Sequence, residues 1–286
     1  MKKNDQTLLG AHVSVAGGLA NAFDQAQALE CNVVQFFTHS SRQWLFNPLD
    51  KKVVADFIKA QQDGSVQTVV HASYLMNPAS PEASVRKKSE DLLIRELQAC
   101  HELKVPYLVL HPGARLNSDL TQGLAHCSET INRTLDQDNG KTKIALENMA
   151  GQGTVIASKL EELAEIYEKI EQKERVGFCF DTCHAFSAGY DFTTQAAYET
   201  FWQEFDKILS IKKLYVIHIN DSLKKINSHI DRHASIGLGS IGIEAFNFLM
   251  NDDRFTRIAK IIETPKGDGL EEDKKNLLKL KSFIKK

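Results

Sequence analysis

This sequence points to an α/β fold, a single (β/α)8 TIM barrel with its active site at the C-terminal rim of the strands. Three observations carry that expectation. Short β-branched or aromatic runs alternate with amphipathic stretches, close to eight of each, along all 286 residues. No Pro/Gly-rich linker, low-complexity tract or repeat divides the chain, so one domain over residues 1–286 is expected rather than two. Residues with metal-ligand side chains recur where the expected strands run out, and in a parallel barrel those ends share one crevice.

Taken in order, the strands are expected at residues 8–15, 33–38, 68–73, 107–111, 143–147, 176–181, 214–220 and 259–263. Most are apolar on consecutive residues, as strands covered on both faces must be. Between the third and fourth, Val85, Leu92, Leu93, Leu97, Cys100 and Leu103 recur at helical spacing. Over residues 158–170, Leu160, Leu163, Ala164, Tyr167 and Ile170 share a face, with Ser158 and Glu161 set as a capping box. These stripes are core packing. A last helix is expected to turn Leu277, Leu280 and Ile284 inward and its lysines to water.

Composition narrows the function classes. A chain of this length buries about 75% of its unfolded surface without staples. With 42% hydrophobic residues, 25% charged and a net charge of -2, it is an ordinary globular protein with no overall attraction for anions. Nucleic-acid binding would need a local patch. No apolar run approaches membrane-spanning length and the first residues are polar, so an untargeted cytoplasmic protein is expected. Five irregularly spaced cysteines argue against a disulfide framework, and Cys179 and Cys183 lack the second pair that a thiolate zinc cage needs.

The chemistry lies in the ligand set. His71, His111, Glu147, Asp181, His218 and Glu263 close six successive strands, while His184 and the pair Asp231 and His233 follow in loops. These are five imidazoles and four carboxylates; His12 stands apart as a ligand or a supporting residue. Such a nitrogen and oxygen set suits Zn²⁺, is compatible with Mn²⁺ or Fe²⁺, and disfavours Mg²⁺ and Ca²⁺. At about three protein ligands per catalytic zinc, nine residues fit about three ions, the more so if one carboxylate bridges two. Closely spaced ions suit displacement at phosphorus. His39, His101, His126 and His229 have no evident partner and are read as non-ligands. Gly237-Leu-Gly239-Ser-Ile-Gly242 matches a dinucleotide fingerprint, but the polar stretch before it is no strand, so the glycines form a tight loop into the seventh helix and no organic cofactor is expected.

The motifs then meet a known pattern. Gly10-Ala-His-Val-Ser14, Arg42-Gln-Trp44, His71-Ala-Ser-Tyr-Leu75, His111-Pro-Gly113, Glu147-Asn148, Asp181-Thr-Cys-His184, His218-Ile-Asn-Asp-Ser222, Asp231-Arg-His233 and Glu263-Thr-Pro265 together resemble the endonuclease IV family of abasic-site DNA repair nucleases. The resemblance covers almost the whole chain. It implies three zinc ions per chain: the first on His71, His111 and Glu147; the second on Glu147, Asp181, His218 and Glu263; the third on His184, Asp231 and His233. It implies incision of double-stranded DNA 5′ to an abasic site, giving 3′-hydroxyl and 5′-deoxyribose phosphate ends, and removal of 3′-blocking groups. Glu147 and Glu263 are then the catalytic carboxylates, Glu263 orienting the attacking water.

The resemblance also implies that Arg42, Tyr74 and Leu75 enter the duplex at the lesion. An aromatic and an aliphatic wedge fill the gap left by a missing base, and extrusion costs least where pairing is already lost. Arg232, between two ligands, is our addition as a phosphate contact, with a surface salt bridge as the alternative. Leu223 and Leu238 stand where the family commonly has polar residues. Two rivals remain: a divalent-metal sugar isomerase or epimerase on a similar barrel, and a non-catalytic zinc-stabilised DNA-binding protein. A monomer without membrane attachment is expected.

Overall fold

A computed structural model describes residues 7–285. Eight parallel strands close into a barrel: β1 (Leu9–His12), β2 (Val33–Phe36), β3 (Gln67–His71), β4 (Tyr107–Leu110), β5 (Lys143–Glu147), β6 (Val176–Asp181), β7 (Leu214–His218) and, last in the chain, β10 (Ala259–Ile262). Around the ring the order is β1, β10, β7, β6, β5, β4, β3, β2, so chain neighbours pair and β10 closes the ring on β1. Between β7 and β10 a small antiparallel hairpin, β8 (Asp221–Ser222) and β9 (His233–Ala234), rises from the rim.

Six of the strands end one to three residues before the sequence pattern does, while β5 and β6 end where it does. β3, β5, β6 and β7 stop on the polar residue expected to close them, β4 and β10 stop one residue before His111 and Glu263, and β1 stops at His12. One more ladder bond follows in places, from Ala72 N to Val109 O (2.8 Å) and from Ile219 N to Ile261 O (2.8 Å). Beyond that the chain turns away to give its backbone and side chains to the site.

The helices α1 (Asn21–Ala28), α2 (Lys51–Gly64), α3 (Ala83–Glu102), α4 (Leu120–Gln137), α5 (Leu160–Glu168), α7 (Gln195–Leu209), α8 (Ile243–Asn251) and α9 (Glu271–Phe283) sheathe the ring, and the single-turn α6 (Thr182–Ser187) sits on top of β6. On α3, Leu92, Leu93, Leu97 and Cys100 are buried, as is Leu103 just past its end, while Val85 at its start is half-buried; on α9 Leu277, Leu280 and the following Ile284 are buried. The cysteines are unpaired, all buried except half-buried Cys31. The capping box expected at Ser158 and Glu161 is not formed. Helix α5 starts two residues later, after Lys159, and the carboxylate that reaches back is Glu162, accepting from Ser158 N at 3.0 Å. The later start shifts the reciprocal glutamate by one position.

Alternation across the strands splits the apolar residues into two cores. Val33, Val69, Val109, Ala145, Cys179, Val216, Ala259 and Ile261 point into the barrel and fill its foot. Their neighbours Val34, Val70, Leu108, Ile144, Phe178, Ile217 and Ile262 point outward, into the larger core beneath the helices. A bulge between Phe178 and Cys179 shifts the pairing with β7 and leaves Tyr215 beside the foot, stacked on Tyr107 at 5.0 Å. Burying each such side chain contributes about 1.5–3 kcal/mol.

Candidate metal centre

Two residues along each strand is one pleat, so the residue after each inward apolar side chain but one also points inward. That arithmetic places the site. Val69 leads to His71, Val109 to His111, Ala145 to Glu147, Cys179 to Asp181, Val216 to His218 and Ile261 to Glu263. Five of the six end on the rim as buried or nearly buried side chains, and His111 is the more open one at 24%. His184 comes from α6, whose first turn is capped by Asp181 accepting from His184 N at 2.8 Å. Asp231 and His233 come down from the hairpin.

All nine expected ligands meet at one mouth. Donor atoms fall into overlapping groups whose members lie within 4.8 Å of one another: His71, His111 and Glu147; Glu147, Asp181, His218 and Glu263; and His184, Asp231 and His233; two further groups bring in thiols, Cys179 with Glu147 and His218, and Cys183 with Asp181 and His233. Glu147 is shared, and its two oxygens face different ways. Oε2 lies 3.4 Å from His71 Nε2 and 3.1 Å from His111 Nε2, whereas Oε1 lies 3.1 Å from His218 Nδ1 and 3.2 Å from His184 Nδ1. Asp231 likewise divides its oxygens between His184 Nε2 (3.2 Å) and His233 Nε2 (3.3 Å).

The donor set fits cations. Buried His71 Nε2, Glu147 Oε2, His184 Nε2 and His233 Nε2 have no hydrogen-bond partner among the described residues, although orphaned buried polar atoms are rare and costly. The opposite ring nitrogens are tied down: His71 Nδ1 to Ala72 O (2.7 Å), His184 Nδ1 to Asn148 O (2.9 Å) and His233 Nδ1 to Glu263 O (3.0 Å). This is how a protein selects the tautomer that aims a lone pair at a metal.

Electrostatics agree. Burial opposes the Glu147 charge, but His218 and His111 outweigh it and hold the carboxyl well below its usual range. Glu263 is lowered in the same way, burial being overcome by His218, His12 and His71. Burial also disfavours the imidazolium of His184, yet Asp181, Asp231 and Glu147 raise it well above the ordinary histidine value. Carboxylates kept charged beside imidazoles that bind protons tightly form a cluster in which positive charge is wanted, and divalent cations displace those protons.

Of the remaining histidines, His12 joins none of the donor groups; its Nδ1 lies 3.3 Å from Glu263 Oε1 and behind it. His101, His126 and His229 are not in the groups either. His39 departs from expectation by having partners: it stacks on Phe46 at 4.5 Å, its Nε2 lies 3.2 Å from Gln43 O, and its Nδ1 lies 3.4 Å from the buried Glu96 carboxylate. The loop that carries Arg42 folds it back onto α3, a contact no local spacing announces.

The glycine fingerprint resolves into a loop around a carboxylate. Asp221 accepts from Gly237 N (2.9 Å) and Gly239 N (3.0 Å) with one oxygen, and from Ser222 N (2.8 Å) and Ile241 N (3.0 Å) with the other. Gly242, at φ +88°, then caps α8, the barrel's seventh main helix.

Comparison with known proteins decides among the barrel chemistries. A family model described as a xylose isomerase-like TIM barrel matches residues 23–286, which settles the barrel but names the rival reaction. The protein called probable endonuclease 4 in Chloroflexus aggregans is 41% identical over 278 residues, covering 96% of this chain and 97% of its own. This chain belongs to the endonuclease IV family. The crystal structure of endonuclease IV from Thermus thermophilus superposes with a TM-score of 0.85 at 30% identity, over 96% of this chain and 98% of that one. A D-tagatose 3-epimerase-like protein reaches 0.74 at 23% identity over 96% of each chain, a likeness of fold alone. The family and the barrel expected from the sequence are both borne out.

On this endonuclease IV barrel the residues expected to meet DNA stand around the mouth. Tyr74 is 57% exposed, its ring 5.2 Å from His71 and 5.7 Å from His111. Leu75 is half-buried beside it, and Arg42 and Arg232 are exposed, the latter donating to Asp231 O at 3.0 Å. A cavity of about 1040 Å³ is lined by His12, Phe37, Arg42 and Lys266 and by none of the nine donors; His12, on its wall, lies 3.3 Å from Glu263.

Sequence reasoning missed the supports. Asn148 brackets Asp181, accepting from its N–H at 2.8 Å and donating to its carbonyl at 3.1 Å. Asn220 donates to Asp181 Oδ2 (2.6 Å) and accepts from Glu263 N (2.7 Å), joining two strands at the rim. Gln35 lies under Glu263, to which it donates at 2.7 Å. Its signal was present: Val33 points inward, so a polar residue two positions on must enter the ring.

Proposed function

We propose that the protein is a zinc-dependent phosphodiester hydrolase of the deoxyribonuclease IV class. It hydrolyses the backbone of double-stranded DNA 5′ to abasic sites, leaving 3′-hydroxyl and 5′-deoxyribose phosphate ends, and removes 3′-blocking groups. The observation that carries this reading is the sharing of Glu147: one buried carboxylate divides its oxygens between two donor groups, beside ring nitrogens with no other partner.

In this reading the three donor groups hold three Zn²⁺ ions, which supply neutralisation of phosphoryl charge and an acidified water. Everything else falls to the chain. Glu147 and Asp181 supply the negative charge that keeps the ions close. Glu263, at the edge of the mouth, would orient the water as its oxygen bonds to phosphorus; the P–O3′ bond breaks, the water gives up one proton to solvent and the departing O3′ takes one, so the protons balance. Arg42, Tyr74 and Leu75 occupy the gap at the lesion, and Arg232 meets a backbone phosphate. The chain acts as one domain and a monomer in the cytoplasm, without an organic cofactor.

The test is a duplex carrying one tetrahydrofuran abasic analogue. A nick 5′ to the analogue is expected, because displacement at phosphorus needs no ring-opened aldehyde. An intact analogue beside a cleaved natural site means β-elimination instead, and sugar turnover with one or two ions per chain means the isomerase rival.

A further inference from the structure

We propose that Gln35 is a positioning residue that sets the His218 ring and the Glu263 carboxylate in the second donor group. The inference rests on the metal-centre reading above and adds to it a residue outside the ligand set.

Gln35 sits on β2, fully buried, with its side chain directed into the barrel mouth. Its Oε1 lies 2.9 Å from His218 Nε2, and its Nε2 lies 2.7 Å from Glu263 Oε1 and 3.0 Å from His12 Nδ1. The amide has only one sensible orientation. Turned over, its oxygen would face a carboxylate oxygen and its NH₂ would face a ring nitrogen that must then accept. In the orientation observed, Oε1 accepts a proton from His218 Nε2. That leaves His218 Nδ1 as the nitrogen free to coordinate a cation once its own proton is displaced, and Nδ1 is the atom that lies 3.1 Å from Glu147 Oε1 and 3.2 Å from Glu263 Oε2.

The donor side matters as much. Glu263 carries little of its own strand's support: it lies just past β10, with 13% of its side chain exposed. Gln35 Nε2 holds Oε1 from below, so Oε2 is the oxygen left facing His218 and the mouth. His12 completes the arrangement, bonded to the same amide and lying 3.3 Å from the same carboxylate oxygen. One glutamine therefore decides which nitrogen of a histidine and which oxygen of a glutamate face the second group. Neither the first group nor the third touches it.

The experiment compares wild type with Gln35→Met and Gln35→Glu, using purified holoprotein loaded with Zn²⁺ or Co²⁺. The readouts are metal stoichiometry, the rate of removal by a chelator, the visible spectrum of the cobalt form, and kcat and KM on the tetrahydrofuran duplex. Gln35→Met is expected to weaken one ion of three by about 10–100-fold, to alter the cobalt spectrum, and to lower kcat with KM nearly unchanged. Gln35→Glu keeps the acceptor for His218 but turns a carboxylate towards Glu263. It is expected to retain three ions while losing turnover, and it carries the test if the methionine variant does not fold. Three ions leaving at the wild-type rate from Gln35→Met with an unchanged spectrum, or wild-type kcat in Gln35→Glu, would overturn the role of Gln35 alone. Fewer than three ions in wild type would overturn the metal-centre reading and this inference with it.

Discussion

The two ends of the same strands differ by one pleat and by everything else. At the foot, inward positions hold Val33, Val69, Val109, Ala145, Val216 and Ile261, a dry plug that stabilises. One step up, they hold Gln35, His71, His111, Glu147, His218 and Glu263, polar groups that are mostly buried, among them two carboxylates and the orphaned His71 Nε2 and Glu147 Oε2. Desolvating such groups costs several kcal/mol per ion unless each is compensated. The foot thus supports a rim that opposes folding until cations compensate it, and substitutions at the two ends should have opposite signatures.

Changes at the rim should cost chemistry and spare the fold. Glu263→Gln removes a ligand charge without changing the DNA-facing surface. A loss of about 10²–10³-fold or more in kcat is expected, with lesion binding retained in a gel-shift assay; loss of binding in step with turnover would argue against it. Changes at the foot should do the reverse. Ile261→Ala leaves a cavity in the plug and should cost about 2–5 kcal/mol of stability, read from denaturant midpoints, while kcat per folded molecule stays near wild type. A drop in kcat with unchanged stability would mean that the foot steers the rim directly.

Buried ionisable groups on either side of the barrel sharpen the contrast through pH. Towards the rim, burial pushes the Glu96 carboxyl up to about 8, with Ser73 N offsetting part of the rise, and burial lowers His39, which faces it. The folded state therefore holds a proton on Glu96 that the unfolded chain has given up. Stability falls as pH rises from the ordinary carboxyl range through about 8. At the foot, burial lowers the Lys260 ammonium to about 7, partly countered by Asp252, while its Nζ donates to the carbonyls of Phe255 and Ile258. Here the unfolded chain binds the extra proton, so stability rises with pH from about 7 towards the ordinary lysine value. Glu96→Gln should flatten the first slope and Lys260→Met the second, each by at most about 5 kcal/mol in melting experiments at the two ends of its window. A slope that survives its own substitution would assign it to another group.

These contrasts also show what the sequence could disclose. Candidate donors at strand ends were legible because period-two alternation and chain order are local, and the barrel then converts order along the chain into neighbourhood around a ring. Supports were less legible because their partners are remote. Gln35 and Glu263 meet only across the β1 seam, and Glu96 reaches Ser73 and His39 from a helix. The capping box at Ser158 failed for the opposite reason: the local pattern was present, but the helix began two residues later and used Glu162. Donor identity is written in residue type, whereas the groups that orient donors are ordinary amides and carboxylates until the fold has brought them together.

The smallest expected effect lies at the loop between these supports and solvent. Below its tip the β3–α3 loop is fixed: Ser73 N donates to Glu96 Oε1 at 3.1 Å and Ser73 Oγ donates to Ser41 O at 2.9 Å, tying it to the loop of Arg42. Above, Tyr74 leans on the metal centre while Leu75 is only half-buried, so in the free protein its side chain contributes little. In the proposed reading its contribution comes on binding, when it would be desolvated at the lesion. Fully burying a leucine is worth about 1.5–3 kcal/mol, and the part still exposed is a fraction of that. Leu75→Ala should therefore weaken binding of the abasic duplex by about 10-fold, with undamaged duplex binding, metal content and melting temperature unchanged. Equal losses on damaged and undamaged DNA would make Leu75 a general contact rather than a wedge, and unchanged affinity for both would leave the gap-filling to Tyr74 and Arg42.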